Sequence, residues 1–373
     1  MRTKTIVAAI LALASLFAAE ASCQIVFNQP GSFALKFNYS DWSLDPAGGP
    51  EESISQMIFG RSGFVPVRDN LEARYQIVSG YNDLDAGGAK TDMSGLGDLR
   101  LQLARSFSRD RVLLSAGLNL PTGKQELDPD GERRIIEFLS RDYLSLPLRR
   151  YGEGFGFNLQ AGGATELGPF KCGISGVYDY CGSYTPYEGS GDYDPGDAFS
   201  LNVTAAVSSG GIEYGGDVGF SVFGTDALDG GDIYKQSTQF SARLRGTRPG
   251  ETYSTTLGAR MILRGRNTRY DVTDGVIDSQ LKQYGDEFDV FFRVGRALGP
   301  DWRIGALIGT RQILESEEYL GRSSVLNFAL DLGKELSRNL ALDLGVMYYT
   351  GSTDGGDVGI GGLQMSGGLR VSY

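Results

Sequence analysis

The 373-residue chain carries 46 Asp and Glu against 35 Lys and Arg, a formal charge of −11, and it contains no histidine. An acidic balance without an extended basic cluster excludes nucleic acid as a partner. The missing histidine excludes the Ser-His and Asp-His arrangements that activate a hydroxyl or a water, together with the usual zinc and copper ligand sets, so we expect no enzyme, no catalytic residue, no metal and no cofactor.

The N-terminus predicts a secretory signal peptide. Two basic residues precede an apolar run, 6–19, which small residues follow, and this is the order of a cleaved signal. Cleavage is expected after Ala21 or Cys23, so that residues 24–373 form one domain with no linker. A lipoprotein processed at Cys23 is the alternative, but Glu20 stands where a lipid-attachment site has a branched apolar residue.

The rest of the chain reads as about sixteen strands, fourteen being possible, joined by short and long connections in strict alternation. No run of 18 apolar residues predicts a membrane-spanning helix. The expected strands are 33–41, 54–67, 71–81, 96–107, 112–120, 154–166, 170–181, 198–208, 212–223, 235–246, 252–266, 287–298, 302–314, 325–335, 340–350 and 363–373. This pattern predicts an all-β fold, a transmembrane antiparallel up-and-down β-barrel with short periplasmic turns and long extracellular loops.

Apolar and polar residues alternate within these strands, as they should where one face meets lipid and the other a wet lumen. In hydrocarbon an unpaired sheet edge leaves backbone groups unsatisfied at several kcal/mol each, so a spanning sheet must close and its last strand must pair with its first. A soluble β-sandwich is the alternative, but sandwiches have about 7 to 10 strands. Cys172 and Cys181 lie roughly 30 Å apart along one extended segment and are expected to be free thiols.

The hairpin at 96–120 carries a motif of its own. Gly95-Leu96-Gly97-Asp98 opens one strand and the sequence 120–124, Leu-Pro-Thr-Gly-Lys, closes the next. The stretch that carries these two motifs, about 30 of the 373 residues, resembles the bacterial outer-membrane transporter-like proteins associated with meta-pathway phenol degradation. The resemblance implies small solutes, aromatic or hydrophobic in character.

The end of the chain and its aromatic residues also suit an outer-membrane barrel. The last strand ends on Tyr373, which resembles the C-terminal signal that such barrels present to their assembly machinery. Aromatic residues near strand ends are expected to form girdles at the membrane interfaces: Trp42, Trp302, Tyr39, Tyr178, Tyr180, Tyr348 and Tyr349. Ordinary β propensity is the alternative.

The polar faces of the strands are the expected functional surface, because they line the lumen if the apolar faces meet lipid. The candidate pore-lining residues are Arg100, Arg243, Arg245, Arg260, Arg264, Arg293, Arg303, Arg311, Asp98 and Asp289. Five of the arginines fall on 252–266, 287–298 and 302–314, which should be adjacent in the wall. They form either a basic stripe for anionic solutes or a set of lumen salt bridges.

Two kinds of long connection stand out. Segment 121–153 is too apolar for a solvated loop; it either folds into the barrel as a constriction or extends its neighbouring strands above the membrane, and we favour the second. Aspartates recur in the loops at 192–197, 226–232 and 354–357. Clustered carboxylates suit calcium, but the spacing matches no complete calcium-binding repeat, so solvated turns are the preferred interpretation.

Together these features predict an outer-membrane channel, in a Gram-negative-type bacterium, for passive or facilitated passage of small molecules. A non-conducting barrel acting as a surface adhesin, receptor or scaffold is the alternative. The expected partners are outer-membrane lipid and lipopolysaccharide, the barrel assembly machinery and small-molecule solutes.

Overall fold

The computed structural model describes residues 30–271, 277–317 and 321–373, and the wall it shows is a closed antiparallel barrel of sixteen strands. The expected signal peptide lies outside the described residues. The strands are β1 Ser32–Pro46, β2 Glu52–Arg68, β3 Leu71–Ala86, β4 Ala89–Leu96, β5 Leu99–Phe107, β6 Val112–Leu120, β7 Gly156–Leu167, β8 Phe170–Cys181, β9 Tyr193–Asp194, β10 Ala198–Ser209, β11 Ile212–Phe223, β12 Thr225–Leu228, β13 Gly231–Lys235, β14 Gln239–Arg248, β15 Tyr253–Arg264, β16 Asn267–Tyr270, β17 Ile277–Leu281, β18 Glu287–Ala297, β19 Trp302–Ile313, β20 Ser323–Ser337, β21 Leu340–Thr353 and β22 Val358–Ser372.

The wall closes where the last strand meets the first. β22 pairs antiparallel with β1 from Ser32 opposite Ser372 to Pro46 opposite Val358. The Tyr373 N–H donates to the Gly31 carbonyl at 2.8 Å, so both strand ends lie on the side of the short turns. Closure satisfies the backbone groups of both edges, and the predicted barrel fold is confirmed.

The predicted strands agree with the observed ones, with one informative exception. The predicted range 96–107 contains a break at Gly97-Asp98, where β4 ends and β5 begins. β3 pairs with both pieces, and the Gly97 N–H donates to the Val78 carbonyl at 2.7 Å across the break. The pairing with β3 shifts by one residue at the motif, from Ser79 opposite Leu96 to Gln76 opposite Arg100, so the wall stays paired across the break.

Alternate residues of the wall point outward, and along the middle of the strands most of them are apolar. Leu244 is 68% exposed, Leu330 61% and Leu257 59%. Such exposure of leucine side chains is unfavourable in water and suits contact with hydrocarbon. None of the described helices is long and apolar enough to serve as a membrane span.

The long connections form two further structures. Three of them contribute β9, β12, β13, β16 and β17 to a separate five-stranded sheet. The connection between β6 and β7, residues 121–153, contains the helix α1, Glu132–Leu139, and one 3-10 turn, Asp142–Leu144. We call residues 121–153 the inward segment.

Two expected girdle aromatics lie inside the barrel instead. Trp42 is 1% exposed and Tyr349 6%, and their rings lie in contact with centroids 4.7 Å apart and planes tilted by 32°. Both have the parity of the inward row, and the inward segment covers them. Trp302 is an outward residue, 38% exposed, with the Lys334 ammonium 4.4 Å from its ring centroid.

Candidate functional site: the lumen and the inward segment

The inward segment folds against the inner face of the barrel. Its apolar side chains are buried: Ile135, Phe138, Leu139, Tyr143, Leu144, Leu146 and Tyr151. They pack on inward-facing residues of the strands on both sides of the β1–β22 pairing: Trp42, Leu44, Ile54, Leu84, Met93, Val325, Tyr349 and Ile360. The expected extension of the neighbouring strands is wrong, since β6 ends at Leu120 and β7 begins at Gly156. The segment removes its apolar surface from water by turning inward.

This packing lies at the extracellular end of the wall. On β1 the outward row changes from Phe37 and Tyr39 to Asp41 and Ser43 at the height of Trp42, since side chains alternate along a strand. Outward Asp83 and Asp85 mark the same change on β3. The inward segment therefore sits above the apolar belt, and the lumen below it keeps its polar lining.

The two sequence motifs form the clamp that holds the ends of the inward segment. The Asp98 carboxylate accepts hydrogen bonds from the Gly123 N–H at 2.9 Å, from the Glu153 N–H at 2.9 Å and from Asn119 Nδ2 at 2.8 Å. The Thr122 hydroxyl accepts from the Leu99 N–H at 2.9 Å. Asp98 is 9% exposed, so it joins both ends of the segment to the β4–β5 break.

The far side of the inward segment reaches the opposite wall. Arg311 Nη1 donates to the Asp142 carbonyl at 2.7 Å and to the Ser145 hydroxyl at 2.6 Å. Arg264 Nη2 lies 3.5 Å from an Asp142 carboxylate oxygen. The segment thus crosses the barrel from β3–β5 to β15 and β19.

Buried tyrosines hold the second half of the inward segment. Tyr151 accepts a hydrogen bond from Asn82 Nδ2 at 2.5 Å, and burial raises its pKa far above the ordinary value of 10. Burial also raises the pKa of Tyr143, although the neighbouring Arg141 lowers it in part. Ionisation would place a charge in an apolar site, so both phenols stay neutral to a higher pH than an exposed tyrosine does.

Three of the candidate pore-lining arginines surround one buried carboxylate. Arg260, Arg264 and Arg311 all form ion pairs with Glu287, which is 1% exposed. Asp289 adds a second partner, 2.6 Å from Arg260. β15, β18 and β19 are adjacent in the wall, as predicted.

The other candidate arginines are spread around the lumen. The ion pairs are Arg293–Asp331 at 2.8 Å, Arg303–Glu335 at 3.3 Å, Arg100–Glu153 at 3.8 Å and Arg243–Asp217 at 4.0 Å. Arg245 has no ion-pair partner among the described residues. All five arginines of the expected stripe have carboxylate partners. The structure therefore shows a set of lumen salt bridges rather than an unpaired basic stripe. Arg243 and Arg245 do not belong to the stripe of five arginines.

Sequence reasoning placed Asp289 in the lumen but missed Glu287, Glu335, Asp142 and Glu153, which complete other pairs. Glu287 has the same parity as Asp289 on β18, so parity would have found it. Asp142 and Glu153 belong to the inward segment, and no local pattern connects them to arginines on distant strands.

Polar cavities remain below the inward segment. One, of about 800 Å³, is lined by residues of β1–β3 and β5–β8, among them Glu72, Arg74, Gln102 and Asn158. A second, of about 270 Å³, lies against the inward segment at Leu148. The lumen is therefore wet rather than packed.

The aspartate-rich loops use carboxylates to hold loop backbone. Asp226 accepts hydrogen bonds from the Gly196 N–H at 2.8 Å and the Tyr193 hydroxyl at 2.6 Å, and Asp229 accepts from the Asp192 N–H at 2.8 Å. Cys172 and Cys181 are free thiols, as predicted.

Comparisons with known proteins returned likenesses of structure only. No family model and no curated protein matches the sequence, so the resemblance to the meta-pathway family stays a prediction. Similar solved structures include the CymD monoaromatic hydrocarbon channel, with 11% identity over 93% of this chain and 89% of that chain and a TM-score of 0.45. They also include OccD3 (OpdP) of Pseudomonas aeruginosa, with 11% identity over 95% and 94% and a TM-score of 0.46. These likenesses are too distant to carry an argument about a solute, and the assignment of a closed transmembrane β-barrel rests on the strand pairing of this chain.

Proposed function

We propose that the chain is an outer-membrane channel for small polar solutes, narrowed at its extracellular end by the inward segment. The observation that carries the proposal is the polar cavity of about 800 Å³ inside a closed wall. A barrel of this size whose interior holds polar side chains and open volume passes water and small solutes unless something seals it. The candidate arginines and their carboxylates then line the path.

The test is single-channel conductance of the refolded full-length chain in planar bilayers, followed by liposome swelling with sugars of graded size. We expect discrete conductance steps and swelling that falls as sugar size increases. Electrically silent, impermeable barrels with correct folding by heat-modifiable migration would overturn the proposal.

The solute class implied by the resemblance is a separate proposal. Phenols and other small aromatic molecules would use the same path, although the residues lining the larger cavity include Glu72, Arg74, Gln102 and Asn158 rather than an apolar row. Swelling assays that compare phenol with a sugar of equal volume decide this point: faster entry of phenol supports an aromatic preference, and equal entry removes it.

A non-conducting scaffold or receptor is the second candidate, and one observation favours it. The inward segment crosses the barrel and is anchored at both walls, by Asp98 on one side and Arg311 on the other. If it seals the lumen, the exposed five-stranded sheet of loops is the functional surface. Silence in bilayers together with surface exposure on whole cells would support this candidate.

The proposed cellular context is the outer membrane of a Gram-negative-type bacterium, reached with a cleaved signal peptide of residues 1–23. The apolar outward row would contact lipid and lipopolysaccharide, and β22 ending at Tyr373 would be recognised by the assembly machinery. Fractionation of cells expressing wild-type protein and a Tyr373→Ser variant tests this, since the variant should assemble poorly.

A further inference from the structure

Two cavities meet at one small set of side chains. The larger cavity, of about 800 Å³, and the smaller, of about 270 Å³, share only Gln76, Arg100 and Glu153 among their lining residues. The smaller one is bounded by the inward segment from Pro147 to Tyr151. A solute that moves from the larger cavity into the smaller one would therefore pass these three side chains.

The smaller cavity has more cationic than anionic side chains in its lining, and one of them, Arg149, already pairs with Asp142 at 2.6 Å. Arg100, Arg149 and Arg150 line it together with two carboxylates, Asp98 and Glu153. The Asp98 oxygens already accept three hydrogen bonds in the clamp. Arg150 has a buried Nη2 nitrogen without a hydrogen-bond partner in the described structure.

Arg100 is held loosely by its only ion-pair partner among the described residues. Its Nη2 lies 3.8 Å from a Glu153 oxygen, and the two side chains are 65% and 48% exposed. An ion pair of this kind contributes little stability, so an arriving carboxylate can replace it. The guanidinium would then offer the paired N–H donors that bind a carboxylate in a bidentate manner.

We infer that the smaller cavity is a binding subsite for small carboxylate-bearing solutes, with Arg100 as the recognising group and Glu153 as the competing internal anion. The inference rests on the proposed channel function and adds the chemical class that the channel retains. Its volume of about 270 Å³ lies just below the usual range of about 300–1,000 Å³ for ligand pockets, so it suits only a small ligand.

The experiment measures block of single-channel current by benzoate and by benzamide, which is similar in shape but uncharged. We expect benzoate to reduce the current as its concentration rises and benzamide to have little effect. Arg100→Gln should raise the half-blocking concentration of benzoate roughly tenfold or more, because a charge-assisted hydrogen bond is lost. Glu153→Gln should lower it, because the competitor is removed.

Arg243→Gln is the matched control. Arg243 also faces the lumen with a loose partner, at 4.0 Å and 58% exposure, but it lines neither of the two cavities. Equal loss of block in both arginine variants would overturn the subsite in favour of general lumen charge. Unchanged block in Arg100→Gln would overturn it as well.

A second readout separates this inference from the channel proposal. Saturation-transfer NMR of benzoate with detergent-folded full-length protein reports binding without conduction. If the barrel does not conduct but benzoate binding depends on Arg100, the channel proposal is overturned and the subsite stands. If the barrel conducts but contact with benzoate does not depend on Arg100, the subsite is overturned and the channel proposal stands.

Discussion

Gly123 shows how a single residue fixes the entrance of the inward segment. A Cβ atom at this position would lie 2.3 Å from the Tyr151 carbonyl oxygen, 2.9 Å from Asp98 Oδ1 and 2.9 Å from the Leu96 carbonyl oxygen. Two of these three atoms belong to backbone that is held by the clamp. No side chain larger than hydrogen fits without separating the two ends of the segment.

We therefore expect Gly123→Ala to loosen the inward segment. A forced contact of this kind costs about 1–3 kcal/mol, and if cleavage follows the population of the opened state, trypsin should cut at Arg149 or Arg150 roughly 5- to 150-fold faster. The control is Gly60→Ala, whose Cβ would meet only Lys36 Cβ at 3.7 Å. Equal cleavage of the two variants would contradict the clamp.

The sequence revealed the clamp residues but not their role. Gly97, Asp98 and Gly123 were recognisable as a motif, and Asp98 was a candidate for the pore lining. Its three hydrogen-bond donors come from β6 and from both ends of the inward segment. Such contacts depend on the pairing of β5 with β6 and on the return of the segment, which no local pattern encodes.

At the scale of elements, the inward segment is the feature that controls the size of the opening. Deleting residues 135–146 should raise the single-channel conductance, because the segment then no longer crosses the lumen. It should also uncover Trp42, which is 1% exposed, and shift its fluorescence emission to longer wavelength in a Trp302→Phe background. Unchanged conductance with a shifted emission would show that the conducting path bypasses the segment.

The same element should respond to alkaline solution. The pKa values of Tyr143 and Tyr151 are raised by burial, so their contribution to stability is complete below the unfolded pKa of about 10 and is lost as the pH rises through the folded values. Above pH 10 we expect the segment to leave the wall and the current to increase.

Phenolate absorbance at 295 nm and bilayer current, recorded over the same pH range, check this expectation. A Tyr143→Phe/Tyr151→Phe double variant keeps the packing and removes both ionisable hydroxyls, so its current should rise less steeply. If the wild-type current stays constant while phenolate forms, the buried tyrosines do not hold the inward segment in place.

The sequence predicted that 121–153 is unusual but not where it goes. Its apolar residues demanded a covering surface, and the choice between inside and outside depended on inward residues of β1–β4 and β20–β22, far away along the chain. The parity of Trp42 already indicated that the covering surface lies inside the barrel, because Trp42 shares the inward row of β1 with Asn38 and Ser40. Its position near a loop had suggested a girdle instead.

For the whole molecule, the alternation of outward and inward residues decides the fold. Leu244→Arg places a charge on the outward row of β14 and should destabilise the folded barrel in lipid vesicles by about 2–4 kcal/mol if it lies near the bilayer midplane. Ser241→Arg, on the inward row of the same strand, should cost clearly less. Urea unfolding in vesicles measures both, and equal losses would mean that the two rows do not face lipid and lumen.

The barrel wall was the part of the structure most predictable from the sequence. Alternation and turn spacing placed all sixteen wall strands, and 112–120, 170–181 and 212–223 coincide with β6, β8 and β11. The small strands of the loop sheet were missed because β9, β12, β13, β16 and β17 have two to five residues each, too few to show a period.

The position of the inward segment across the β1–β22 pairing has a consequence for assembly. Its apolar cluster draws on Trp42 and Leu44 from the first strand and on Ile360 from the last, so the surface it packs on is complete only once β1 and β22 have paired. The segment should thus reach its full packing only after the barrel has closed, and it then holds the two sides of the β1–β22 pairing together. A burial signal from Trp42 would then mark the final event of folding rather than an early one.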